Sequence, residues 1–153
     1  MTIDIIYNYI IMSELAIFEP EVAHNATDDV FIIKIIQLVR KGISFNDFKE
    51  FAAKTPFSLS DWSSFLHVSE RTIQRYQKES KRFDTLQSEK IVEIALLQKR
   101  GVEVFGKKLK FDSWLETSNL ALGDIKPKSF LDSNFGINLV KDELARIEHG
   151  VLV

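Results

Sequence analysis

The sequence predicts an all-α fold: a helix-turn-helix bundle joined through a long central helix to a small helical carboxy-terminal domain. Three observations carry this. Apolar residues recur at helical spacing in one segment after another. Ser and Asp stand at capping distance before several of those segments. No alternating strand pattern appears outside the first dozen residues.

The first eighteen residues, "MTIDIIYNYIIMSELAIF", are rich in Ile but contain Asp4, Asn8, Ser13 and Glu14, and lack a basic leader and a small-residue cleavage site. They read as neither a secretory signal nor a membrane span. Met12 offers an alternative start. Residues 1–27 are expected to form a variable arm, without an assigned function. "VFIIKIIQLVRKG" reads as a buried helix stopped by Gly42. "SFNDFKEFAAKT" opens with Ser44 and Asp47 at capping spacing and predicts a helix of about three turns, with Lys49 and Lys54 in solvent. "SLSDWSSFL" starts the same way with Ser58 and Asp61, and Leu59, Trp62 and Leu66 form its apolar stripe. Pro56 separates the two. "HV" then makes a tight turn, and Ser69 caps a helix that turns Ile73 and Tyr76 inward.

"LQSEKIVEIALLQKRGVEVF" is the longest pattern. Its "IVEIALL" is apolar nearly all round, as in a helix buried between layers or across a subunit contact. Beyond Gly106, "KFDSWLET", "PKSFLDSN" and "INLVKDELARIEHG" read as three short helices punctuated by Gly123, Pro127 and Gly136 and ended at Gly150. Neither a repeat nor a linker separates independent domains. The division expected is residues 1–27, a helix-turn-helix domain over 28–84 and a second domain over 85–153.

The chain has 153 residues and no Cys, which removes disulfides and thiolate nucleophiles and suits a reducing, cytoplasmic setting. Its net charge of −2 hides a division. Residues 67–110 hold 11 basic against 6 acidic groups, whereas the flanking segments are acidic. A segregated basic stretch suits an anionic partner, or is a solvated face with incidental bias.

Within that stretch lies "VSERTIQRYQKE". A short helix, an apolar turn and a second helix with a polar face make the helix-turn-helix plan, whose second helix enters the DNA major groove. Arg71 can fork onto guanine, Gln74 can pair with adenine, and Ser69 or Thr72 can bond a phosphate or a base edge. Arg75, Lys78 and Arg82 would neutralise phosphates. Three-helix units with a solvated basic face also occur in proteins that never meet DNA.

From "LQSEKIVEIALLQKRGVEVFG" onward, with "WLETSNLALGDIKP", "FLDSNFG" and "LARIEHG", the chain resembles the toxin-binding domain of the Xre/MbcA/ParS family of antitoxins. The preceding helix-turn-helix resembles the family's Xre-like half, so the likeness spans about residues 30–150. Ser118 stands where members commonly carry Pro, and Asp124 where they carry a second Gly. The resemblance implies a type II antitoxin that silences a toxin encoded beside it, often a RES-domain enzyme that consumes NAD, and represses its own operon. The alternative is a stand-alone transcription regulator whose carboxy-terminal domain only dimerises.

On either reading the chain is a homodimer that reads operator DNA, and it is no enzyme. His24, His67 and His149 lack metal-ligand spacing, and neither a phosphate loop nor a nucleophile motif occurs, so neither metal nor cofactor is expected. For toxin binding the candidates are Trp114, Asn119, Gly123, Arg146, Glu148, His149, Gly150, Val151, Leu152 and Val153. Trp62 and Trp114 equally suit the core, and Asn119 and Gly123 equally suit a plain turn. The apolar end "VLV" suits burial in a concave partner site or against the chain's own core.

Overall fold

The computed structural model describes residues 28–150, with the side chains of Asp28 and Val30 excepted. The arm 1–27 and the tail Val151, Leu152 and Val153 lie outside the described residues. Among the described residues, seven α-helices and two 3-10 turns follow one another: α1 Asp28–Lys41, α2 Phe45–Ala52, α3 Leu59–Leu66, α4 Glu70–Glu79, α5 Thr85–Phe105, α6 Lys108–Leu115, turns Leu120–Leu122 and Pro127–Phe130, and α7 Asn134–Glu148. The fold is all-α.

Helix α5 is the spine. Asp84 caps it in a full capping box with Gln87, and it packs against α1, α3, α6 and α7. Its Ile91, Val92, Ile94, Ala95 and Leu97 are all buried, so "IVEIALL" is used up between layers of one chain. One apolar cluster therefore runs from Leu38 to Leu144 through both halves of the molecule. On the amino-terminal side, rings interlock. Trp62 meets Phe48 edge-on at 5.1 Å, and Phe65 and Phe57 at 5.6 and 5.7 Å. Phe83 joins Phe48 at 4.8 Å and Tyr76 at 5.4 Å.

Several expectations are corrected. Helix α1 is not buried: Phe31, Ile35, Leu38 and Val39 face the core, while Ile32, Ile33 and Ile36 remain exposed. Helix α2 has 8 residues, closer to two turns than three. Lys54 is half-buried, and desolvation lowers its pKa. On α3, Leu59 is exposed and Phe65 takes its place in the buried stripe with Trp62 and Leu66. "PKSFLDSN" gives only the turn Pro127–Phe130, and the last helix is a full 15 residues. Gly136 lies inside that helix instead of punctuating it, because Ser133 caps α7 upstream and α7 passes so close to the Phe130 carbonyl that a Cβ would overlap it.

Candidate functional site

Two local devices hold α4 out from the body. The turn before it bends at His67, which takes left-handed angles (φ 53°) as the C-cap of α3. Ser69 then caps α4, its Oγ accepting the Thr72 N–H at 3.0 Å. Ile73, 2% exposed, anchors the inner face, and Tyr76 packs its ring on Phe83. Arg71, Gln74, Arg75, Gln77 and Lys78 are left in solvent, and with Ser69 and Thr72 they line one open concavity.

Six of the seven residues expected to read DNA thus come together. Arg82 does not join them. Its guanidinium donates to the Gly42 carbonyl at 2.9 Å, tying the α4–α5 link to the α1–α2 turn. Gln77 is the addition, and its i+3 spacing from Gln74 was the signal for it. Three exposed cations with two amides among them can neutralise phosphates and pair with base edges.

The carboxy-terminal candidates fall into separate groups. Trp114 is half-buried, stacked on Phe111 at 5.9 Å and tilted against Phe105 at 5.6 Å. Asn119 organises the loop that follows. Its Oδ1 accepts from Ala121 N at 2.9 Å, its carbonyl accepts from Asp124 N at 2.9 Å, and its N–H donates to Ile125 O at 3.1 Å. Gly123 and Asp124 both take positive φ, 73° and 62°. Around this closed loop Leu120 is 87% exposed and Ile125 is 45% exposed, apolar surface that residue spacing did not single out. At the far end of α7, Arg146 pairs with buried Glu143 at 3.0 Å and Glu148 pairs with Arg100. His149 and Gly150 are exposed. Among the described residues, no hydrogen bond joins this end to the Asn119 loop.

A third set of residues, none expected from sequence, joins the two halves. Lys128 reaches Asp61 on α3 at 3.3 Å and Glu116 at the end of α6 at 2.9 Å. The Glu116 hydrogen bond raises the Lys128 pKa above its ordinary value, with Asp61 adding to it and burial opposing it. His67 Nε2 lies 2.7 Å from the Asp132 carbonyl, and within the carboxy-terminal half buried Lys90 donates to Asn134 at 3.0 Å. Beside them half-buried Glu93 has a raised pKa, chiefly from desolvation, which Lys90 and Lys141 partly offset. No group of three His, Asp or Glu among the described residues could hold a metal ion. No described helix is long and apolar enough to cross a membrane.

A helix-turn-helix with a cationic outer helix, built on one core with a second helical part, has the plan of a two-part helix-turn-helix protein. The comparisons make the class specific. Residues 34–96 match the antitoxin Xre-like helix-turn-helix domain, and residues 100–150 match the antitoxin Xre/MbcA/ParS C-terminal toxin-binding domain. The chain belongs to the Xre/MbcA/ParS antitoxin family. A relative named Antitoxin Xre, from Yersinia enterocolitica serotype O:8 / biotype 1B, is 32% identical over 85 residues. That match covers 55% of this chain and 57% of the relative, so the chain spans little more than half the relative's length.

Proposed function

We propose that this chain is the antitoxin of a type II pair, an inhibitor and repressor and not a catalyst, working in the cytoplasm as a homodimer. The observation that carries the reading is the union of a solvated, cationic α4 with a matched toxin-binding domain on one apolar core. The toxin is proposed to be a RES-domain enzyme. Arg71, Gln74 and Arg75, with Ser69, Thr72 and Lys78, read and grip the operon's own promoter, and Arg82 holds the bundle behind them. Residues 28–84 and 85–153 divide these two tasks.

For the toxin, we place Arg146, Glu148, His149 and the end Gly150 to Val153 at the entrance of its active site. Asn119 and Gly123, beside half-buried Trp114, shape a second, separate toxin-facing surface. Arg146 pairs with Glu143 within α7, and Glu148 pairs with Arg100 on α5, which ties the last turn of α7 to α5.

One paired experiment tests both halves. Arg75→Glu should lose promoter binding, with a shallower salt dependence by about one phosphate contact, yet still neutralise the toxin encoded alongside. Truncation after Ile147 should do the reverse. A truncated protein that inhibits the purified toxin as well as the full chain would remove the tail from the mechanism, and promoter affinity unchanged in folded Arg75→Glu would remove the reading helix.

A further inference from the structure

Helix α1 carries an apolar stripe that nothing described covers. Ile32, Ile33 and Ile36 are 51%, 52% and 41% exposed; Ile33 and Ile36 turn away from the core-facing Phe31, Ile35, Leu38 and Val39, and Ile32 borders that core face. Two charges bound the stripe, Asp29 at one end and Arg40 at the other, both exposed and neither in an ion pair among the described residues. At 3.6 residues per turn, Asp29, Ile33, Ile36 and Arg40 fall within about 60° of one another around the helix. They form one narrow seam with opposite charges at its two ends.

Such a seam is complementary to itself. When two copies of a helix pair antiparallel about a two-fold axis, residue i faces residue j with i + j constant. One register serves the whole seam. It sets Ile33 against the partner's Ile36 and Ile36 against the partner's Ile33, with Ile32 on the seam's flank. The same register brings Asp29 to the partner's Arg40 at both ends. A parallel pairing would instead set Asp29 against Asp29 and Arg40 against Arg40. A crossing of about 20° keeps both ends within reach of an arginine, whereas one near 50° would splay them.

We infer that the outer face of α1 is the homodimer seam of this protein, occupied by α1 of a second copy. The inference rests on the homodimer reading above and says where the contact lies. It also takes that role away from the "IVEIALL" surface of α5, which the chain buries within itself. Three half-exposed isoleucines are a small patch beside the about 800 Å² per partner of a standard interface, so the dimer should dissociate on dilution.

Sedimentation of the full chain from about 1 to 100 µM tests this. The wild type should show a reversible monomer–dimer equilibrium. Ile33→Asp, at a half-exposed site, should stay folded by circular dichroism and weaken the dimer about tenfold or more. Asp29→Arg and Arg40→Asp should each weaken it several-fold, because each change sets like charges together at both ends. The double change Asp29→Arg with Arg40→Asp swaps the ends and should return the dimer to near wild-type affinity. A double change no better than either single one overturns the seam. So does a dimer indifferent to Ile33→Asp, the result expected if residues 1–27 or a toxin cover α1 instead. A wild type monomeric throughout would sink the homodimer reading itself.

Discussion

Asp124 holds a backbone shape that glycine holds more easily. It sits at φ 62° directly after Gly123 at φ 73°, in the loop that Asn119 closes. Aspartate tolerates the left-handed region better than most residues, which is how the loop keeps its form where family members commonly carry a second glycine. The tolerance is incomplete. Asp124→Gly removes the Cβ conflict, worth about 1 kcal/mol, while the freer unfolded chain takes back part of it. A net gain of about 0.5 kcal/mol is expected in chemical denaturation. Asp124→Val should instead lose stability, since a branched side chain is a genuine outlier at this angle. Equal stabilities across the three would mean that the loop relaxes freely.

At the scale of elements, what could be read from sequence was whatever neighbouring residues decide among themselves. The Ser58–Asp61 capping box, the Ser69 cap and the buried Ile73 are all local patterns, and they sufficed to place the helix-turn-helix and the solvated face of α4. Contacts between distant residues were not legible. Arg82 looks like one more phosphate contact until its guanidinium meets the Gly42 carbonyl, 40 positions away. The Ile-rich composition of α1 did not reveal which half of the helix would be covered, and the residues joining the halves come from segments up to 67 positions apart. Gly136 was misread for the same reason. Judged by propensity alone, Gly136→Ala should strengthen α7 by about 1 kcal/mol. The Phe130 backbone stands where that methyl would go, and backbone cannot swing aside as a side chain can. A loss of about 3 kcal/mol is expected instead, read as a lowered melting temperature. A more stable Gly136→Ala protein would show that α7 and the Pro127–Phe130 turn can separate.

For the whole molecule, the question is what makes the helix-turn-helix half and the carboxy-terminal half one body. The shared apolar cluster supplies most of the adhesion, but apolar contact fixes orientation poorly, and Lys128 adds direction. Its ammonium joins the first helix of the helix-turn-helix, through Asp61, to the end of α6, through Glu116. Glu116 first and Asp61 second hold that ammonium in its charged form, against a desolvation that opposes it, so the folded-state pKa lies above the ordinary 10.5. A lysine pKa raised by folding contributes its full stabilisation below the unfolded value and loses it as pH rises through the folded value. Lys128→Met keeps the length of the side chain and removes the charge. The stability difference between wild type and Lys128→Met, about 1 kcal/mol for a partly exposed pair of bridges, should therefore stay level from about pH 7 to pH 9. It should shrink only in solutions more alkaline than about pH 10.4. Taking the difference between the two proteins cancels the other lysines and tyrosines that titrate in the same range. A difference that stays flat to the highest pH at which both proteins remain folded would leave Lys128 a packing residue, and the shared core alone would set how the two halves are oriented.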